Sequence, residues 1–114
     1  MINAAVVARA AEIRRQFDAA TPFRHVAIDD FLEAPACTAL LRDFPAFSDA
    51  AATDEMGRTG RKAVVENVAG ISDDYARFYA YINSAPFLAA MGELTGIPDL
   101  IADPTLFGGG THEN

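Results

Sequence analysis

The sequence has only one cysteine and two histidines, and it has no tryptophan. The lone Cys37 excludes an internal disulfide, so a reducing compartment is expected and the protein is predicted to be cytoplasmic. Two histidines, His25 and His112, are too few for a zinc site, and Cys37 has no Cys or His neighbour at ligand spacing. An iron site made of two histidines and a carboxylate needs a His-x-Asp or His-x-Glu pair, and neither histidine has an acidic residue two positions later.

Basic residues and long apolar runs are also scarce. Lys and Arg total 9 against 16 Asp and Glu, for a net charge of −7 over 114 residues. Nucleic-acid binding needs clustered positive charge, so no nucleic-acid partner is expected. No apolar run reaches the ~18 residues of a membrane-spanning helix, and the start of the chain lacks the pattern of a signal peptide, so no membrane partner is expected.

What the sequence does contain is material for a helical core. Hydrophobic residues make up 51% of the chain, and apolar residues recur at helical spacing in four segments. Their predicted apolar faces are Val6, Ala10, Ile13 and Phe17; Cys37, Leu40, Leu41 and Phe44; Tyr75, Phe78, Tyr79 and Ile82; and Phe87, Leu88, Met91 and Leu94. Asn3, Ser72 and Ser84 are the predicted N-caps, Pro35 opens the second helix, and Gly96 ends the fourth.

Three short segments favour extended structure. Residues 23–29 alternate Val26 and Ile28 with smaller or polar neighbours, which predicts a strand. The apolar run at 63–65 is either a short strand or a packed connector. Residues 111–114 have the pattern of an entry to a strand, with no partner strand after them.

Most patterns with chemical potential also have a simpler structural interpretation. The triple glycine at 108–110 lacks the following Lys-Ser/Thr of a P-loop and the spaced glycines of a dinucleotide turn, so a flexible or closely packed strand is favoured. Cys37 lies on an apolar helical face and is interpreted as a core residue rather than a nucleophile. The acidic pairs Asp29-Asp30 and Asp73-Asp74 are interpreted as structural, since neighbouring strand residues diverge and carboxylates stabilise a helix N-terminus.

The segment 46–62 fits neither period and predicts a surface loop, with a short helical turn near Asp49. Within it, Arg58, Arg61 and Lys62 form a basic, glycine-flanked cluster. Contact with an anionic ligand is one interpretation of this cluster, and a solvated loop is the favoured one.

Two passages carry a family resemblance. The first is Pro22-Phe-Arg-His-Val-Ala-Ile-Asp-Asp-Phe-Leu32, with Pro35 and Leu40-Leu-Arg-Asp-Phe-Pro45 after it. The second is Phe87-Leu88 through Leu94-Thr-Gly-Ile-Pro98, then Asp103-Pro-Thr-Leu-Phe-Gly-Gly-Gly-Thr-His-Glu-Asn114. Together they resemble the N-terminal region of prolyl-4-hydroxylase-like 2-oxoglutarate and Fe(II)-dependent oxygenases.

The resemblance implies a double-stranded β-helix (jelly-roll) core and an oxidoreductase that hydroxylates a substrate C–H bond. The implied cofactors of the full-length family member are Fe(II) and 2-oxoglutarate, which is decarboxylated to succinate. In the family the His-x-Asp pair follows the glycine passage, and the second iron-binding histidine and the 2-oxoglutarate-binding basic residue come later. The sequence reaches Asn114 before any of them.

We therefore expect a predominantly helical α+β fragment, one truncated domain over 1–114. A helix is expected over 1–20, a helical layer over 21–106 with a strand near 23–29, and the entry to the missing β-core over 107–114. No catalytic, cofactor-binding or metal residue is predicted within the chain, so the fragment is expected to bind no cofactor and to be inactive alone. Four residues are expected near the pocket mouth in a structural role: Gly108, Gly109, Gly110 and His112.

Two further expectations concern partners. Helices that should cover a missing sheet would expose apolar faces, which predicts marginal stability or self-association. The alternative to the oxygenase fragment is a small α-rich protein–protein interaction module without catalytic activity, which would use an exposed Phe/Tyr face.

Overall fold

A computed structural model describes residues 1–53 and 56–113 of the chain. Asp54 and Glu55, in the predicted loop, and Asn114, the last residue of the predicted strand entry, lie outside the described residues. The described part forms five α-helices and one two-stranded antiparallel sheet. The predicted α+β class with mainly helical content is therefore confirmed.

The elements follow one another in a simple order. The helices are α1 (Ala4–Ala8), α2 (Ala10–Ala19), α3 (Ala34–Arg42), α4 (Asp73–Ile82) and α5 (Ala85–Thr95). The strands are β1 (Ala63–Val65) and β2 (Thr111–Glu113), and two short 3₁₀ helices lie at Asp49–Ala52 and Val68–Gly70. None of the helices in the described ranges is long and apolar enough to cross a bilayer.

The helix predicted over residues 1–20 is interrupted at Arg9. Asn3 caps α1 as predicted, its side-chain oxygen accepting a hydrogen bond from the Ala5 amide. The Arg9 amide then donates to the Val6 carbonyl, an i−3 bond that tightens the backbone and separates α1 from α2. Val6 and Ile13 are nevertheless buried on one common side, so the predicted apolar face persists through the break.

The main core lies where α1 and α2 meet α5. Ile2, Val6, Ile13 and Leu94 form its buried centre, and Ile13 is only 1% exposed. The half-buried residues packed around this centre include Val26, Ile28, Phe31, Phe87 and Met91. The N-terminus is tied to this core because the Ile2 amide donates to the hydroxyl of Tyr81.

The strand predicted at 23–29 is wrong. The segment contributes Val26 and Ile28 to the core, as its alternation predicts, but no described strand pairs with it. The antiparallel bridge in this region joins Ile2 to Leu32 instead, with the Asn3 amide donating to the Phe31 carbonyl. An alternating pattern can specify which side chains are buried, but it cannot supply a neighbouring strand.

Helix α3 joins the rest of the molecule through α4. The Tyr75 hydroxyl donates to the Leu40 carbonyl at 3.2 Å, and Arg42 pairs with Asp74 at 2.8 Å. Helix α3 has no fully buried residue, and Leu41 on its predicted apolar face is 74% exposed. The predicted apolar face of α3 is therefore only partly covered by the rest of the protein.

The chain as a whole is more open than a compact protein of its size. Its Cα radius of gyration is 16.2 Å, where a compact domain of this length has about 13 Å. It exposes 7840 Å² of surface, about 1,800 Å² more than is typical for a monomer of 12.2 kDa. Large exposed apolar side chains include Phe23, Leu41, Met56, Ile101 and Phe107.

Candidate functional site

The residues predicted to lie near a pocket mouth are found together at the small sheet. Strands β1 and β2 pair with Ala63 opposite Glu113, Val64 opposite His112 and Val65 opposite Thr111. The interpretation of 63–65 as a strand is confirmed, and the partner of the C-terminal strand comes from earlier in the chain rather than after it. Directly opposed residues share a face, so His112 lies on the Val64 face of the sheet.

Glu113 lies on the opposite face of the sheet from His112. One of its carboxylate oxygens, Oε2, is buried and has no hydrogen-bond partner among the described residues. The His112 side chain is exposed. The two adjacent side chains therefore diverge, as expected for an extended segment, and do not form one site.

The triple glycine leads into β2 and has a packing role at its last residue. Gly108 and Gly110 both have positive φ angles, +71° and +152°. A Cβ atom at position 110 would lie 2.7 Å from the carbonyl oxygen of Val65. Because that oxygen belongs to the backbone of β1, only glycine permits this approach, which agrees with the closely packed interpretation.

The turn before the glycines is organised by Asp103, whose role the sequence analysis missed. Its carboxylate accepts hydrogen bonds from the Thr105 amide (3.0 Å), the Thr105 hydroxyl (2.6 Å) and the Phe107 amide (3.2 Å). These bonds, the Thr105 hydroxyl foremost, hold the pKa of Asp103 below its ordinary value. The Asp-Pro-Thr order is the available signal, since Asp side chains bind the backbone two residues ahead in turns.

The described residues do not fit an iron ion. No three His, Cys, Asp or Glu side chains within 1–53 and 56–113 lie close enough together to hold a metal. The His25 ring is bound locally, with Nδ1 2.9 Å from the Phe23 carbonyl oxygen. Cys37 is half-buried, and its Sγ lies 3.9 Å from the Leu32 carbonyl oxygen. We derive no step of chemistry through a metal in this part of the chain.

Two surface grooves remain as candidate binding sites. The basic groove, about 870 Å³, is lined by Arg58, Arg61 and Lys62 together with Val64 and residues 50–52 of the 3₁₀ helix. The short helical turn predicted near Asp49 is thus confirmed and forms part of this groove. The face of the sheet that Val64 contributes to the basic groove is the face that also carries His112.

The outer groove lies on the side of α5 away from its buried Leu94. It measures about 520 Å³ and is lined mainly by apolar or small residues, among them Leu88, Ala89, Gly92, Ile97 and Leu100. A Cβ atom at Gly92 would lie 3.3 Å from the Ile97 carbonyl oxygen. Gly92 therefore lets the chain that leaves α5 approach the helix closely.

Comparison of the chain with protein-family models, with curated proteins and with solved structures gave no match.

Proposed function

We propose that this chain is the helical N-terminal part of a 2-oxoglutarate- and Fe(II)-dependent oxygenase of the prolyl-4-hydroxylase-like kind. The passages at 22–32 and 103–114 support the proposal through their resemblance to that family. In such an enzyme the iron would activate O₂, the oxidant for hydroxylation of a C–H bond, while 2-oxoglutarate would be oxidised to succinate and CO₂. The residues that would hold both lie beyond Asn114, so the chain alone is inactive.

The observation that carries the proposal is the combination of large exposed apolar side chains with a described sheet of only two short strands. Strands β1 and β2 have three residues each, and an isolated two-stranded sheet is marginal in water. Further strands beside this sheet would complete a β-core. The chain exposes about 1,800 Å² more surface than is typical for its mass, more than the roughly 800 Å² that one partner buries in a standard interface, so further strands would have surface to cover.

The decisive experiment compares the 114-residue chain with the protein made by extending its coding sequence in frame beyond the Asn114 codon. The extended protein is expected to contain a His-x-Asp pair soon after that codon and to form succinate from 2-oxoglutarate with Fe(II). The 114-residue chain is expected to form none. Succinate formation by the short chain, or an in-frame continuation without His-x-Asp, would overturn the proposal.

A second candidate function is an α-rich interaction module, and the outer groove of α5 favours it. Helix α5 is apolar on both sides, with Leu94 buried in the core and Leu88 facing the open groove. An apolar groove left open on a helix is a typical contact surface for a partner protein. Thermal unfolding with light scattering separates the candidates: a cooperative, monomeric transition supports the module, whereas aggregation or a broad transition supports the oxygenase fragment.

A further inference from the structure

Among the described residues that line the basic groove, cations outnumber carboxylates. The protein carries a net charge of −7, yet three of its nine cations fall within residues 58–62 and line this one groove. Glu66 is the one carboxylate among the described residues that line it. Cations gathered on one concave surface attract an anion.

The backbone beside the groove is held by specific contacts. The Gly60 amide donates to the Ala52 carbonyl at 2.7 Å, and Thr53 forms an antiparallel bridge with Thr59. Ser48 caps the 3₁₀ helix by accepting from the Ala51 amide. The loop is thus fastened to the 3₁₀ helix on one side and continues directly into β1 on the other.

The three cations of the basic groove differ in their contacts with the rest of the protein. Arg58 is engaged locally, with Nη2 3.3 Å from the sulfur of Met56. Arg61 and Lys62 are exposed, and neither forms an ion pair with a residue in the described ranges. Their charges are therefore available to a ligand without first breaking a contact inside the described protein.

The less exposed part of the groove is apolar. Ala52 is buried, and Ala51 and Val64 are half-buried. A volume of about 870 Å³ greatly exceeds one inorganic phosphate ion and lies within the range of small-molecule sites, about 300–1,000 Å³. The lining therefore suits a molecule that has both a charged group and an apolar body.

We propose that the basic groove binds a small organic anion, a carboxylate or phosphate joined to an apolar body. Arg61 and Lys62 pair with the anionic group, and Ala51, Ala52 and Val64 contact the apolar part. This assignment does not depend on the proposed oxygenase function, since it uses only residues of this chain.

The test is an NMR titration of the uniformly ¹⁵N-labelled 114-residue chain with phenyl phosphate and, separately, with benzoate. At least one of them is expected to shift the amides of Ala51, Gly60 and Val64 in a saturable way, and the tighter probe identifies the anionic group. Inorganic phosphate, which lacks an apolar body, and benzyl alcohol, which lacks a charge, are each expected to bind at least fivefold more weakly, roughly the loss of one favourable contact.

Substitutions test whether Arg61 and Lys62 bind the anionic group. Arg61→Gln and Lys62→Gln are each expected to weaken binding about fivefold. Arg15→Gln, an exposed arginine on α2, makes the same change in net charge and is expected to leave affinity unchanged. The proposal is overturned if neither anion shifts these amides at about 10 mM, if benzyl alcohol or inorganic phosphate binds as tightly, or if Arg15→Gln weakens binding as much.

Discussion

The backbone of Gly110 lies against the carbonyl of Val65 so closely that a Cβ atom at position 110 would be 2.7 Å from that oxygen. This contact brings the glycine passage onto β1 and positions Thr111 and His112 in β2. The absence of a side chain at Gly110 is therefore required for the pairing of the sheet. One end of the basic groove and the position of the exposed His112 depend on that pairing.

Gly110→Ala is expected to lower the free energy of unfolding by about 2 kcal/mol or more. The added Cβ would clash with the backbone carbonyl of Val65, and neither backbone segment can move away without disturbing the strand pairing. Gly108→Ala is the matched control. It also has a positive φ, but an added Cβ there meets no atom within 4 Å, so about 1 kcal/mol of backbone strain is expected. Urea unfolding followed by circular dichroism measures both. Equal losses would show that the Val65 contact is unimportant.

Gly96→Ala is expected to destabilise the end of α5 by about 1 kcal/mol. Gly96 has φ +66°, and an added Cβ would also displace the guanidinium of Arg14, whose Cζ would lie 1.8 Å away. Gly96→Asn should cost less, because Asn tolerates the left-handed conformation better than Ala, although the guanidinium still has to move. Thermal unfolding of the two variants checks the order, and an Asn variant less stable than the Ala variant would contradict it.

Ile13→Ala is expected to lower the free energy of unfolding by about 2–4 kcal/mol, because it leaves a cavity in the main core. Val7→Ala serves as the control on the neighbouring helix, where the side chain is 47% exposed, and a change within about 0.5 kcal/mol is expected. Urea denaturation quantifies both. If the two losses were similar, the cluster around Ile13 would not be the stabilising core.

Acidification is expected to weaken the ion pair between Arg42 and Asp43 at the end of α3. The Arg42 guanidinium, with a smaller contribution from the Ser72 hydroxyl, lowers the pKa of Asp43 to about 2. Because this folded-state pKa lies below the ordinary value of 3.8, the stabilisation is complete above about pH 4 and is lost as the pH falls toward 2. Carboxyl ¹³C titration measures the shift directly.

In Arg42→Gln the pKa of Asp43 should rise back toward its ordinary value, and Arg15→Gln should leave it unchanged. The same substitution also removes the ion pair to Asp74, whose pKa is lowered first by Arg77 and then by Arg42. The Asp74 pKa is therefore expected to rise by less than that of Asp43. An unchanged Asp43 pKa in Arg42→Gln would exclude the arginine as the cause.

Features set by local contacts could be predicted from the sequence. Ser72 accepts a hydrogen bond from the Tyr75 amide and Ser84 from the Phe87 amide, as the capping pattern predicts. Gly96 adopts the left-handed conformation that ends α5. Each of these interactions joins groups a few residues apart, so residue type and spacing are sufficient to specify them.

The candidate site was only partly predictable. The cluster of Arg58, Arg61 and Lys62 is visible in the sequence, but the 3₁₀ helix and Val64 that make it one side of a groove are brought there by folding. His112 could be singled out, yet its place opposite Val64 depends on a strand pairing between distant parts of the chain. Spacing along the chain carries no information about such a register.

The sequence by itself determined the helical segments, apart from the break at Arg9, and their predicted caps, because helix hydrogen bonds and caps are short-range. Only the tertiary structure decided that residues 23–29 pack without pairing, that Thr111–Glu113 pairs with Ala63–Val65, and that α5 keeps an open apolar side. Strand pairing and surface coverage depend on which distant segments come together, and that choice follows from the packing of the whole chain.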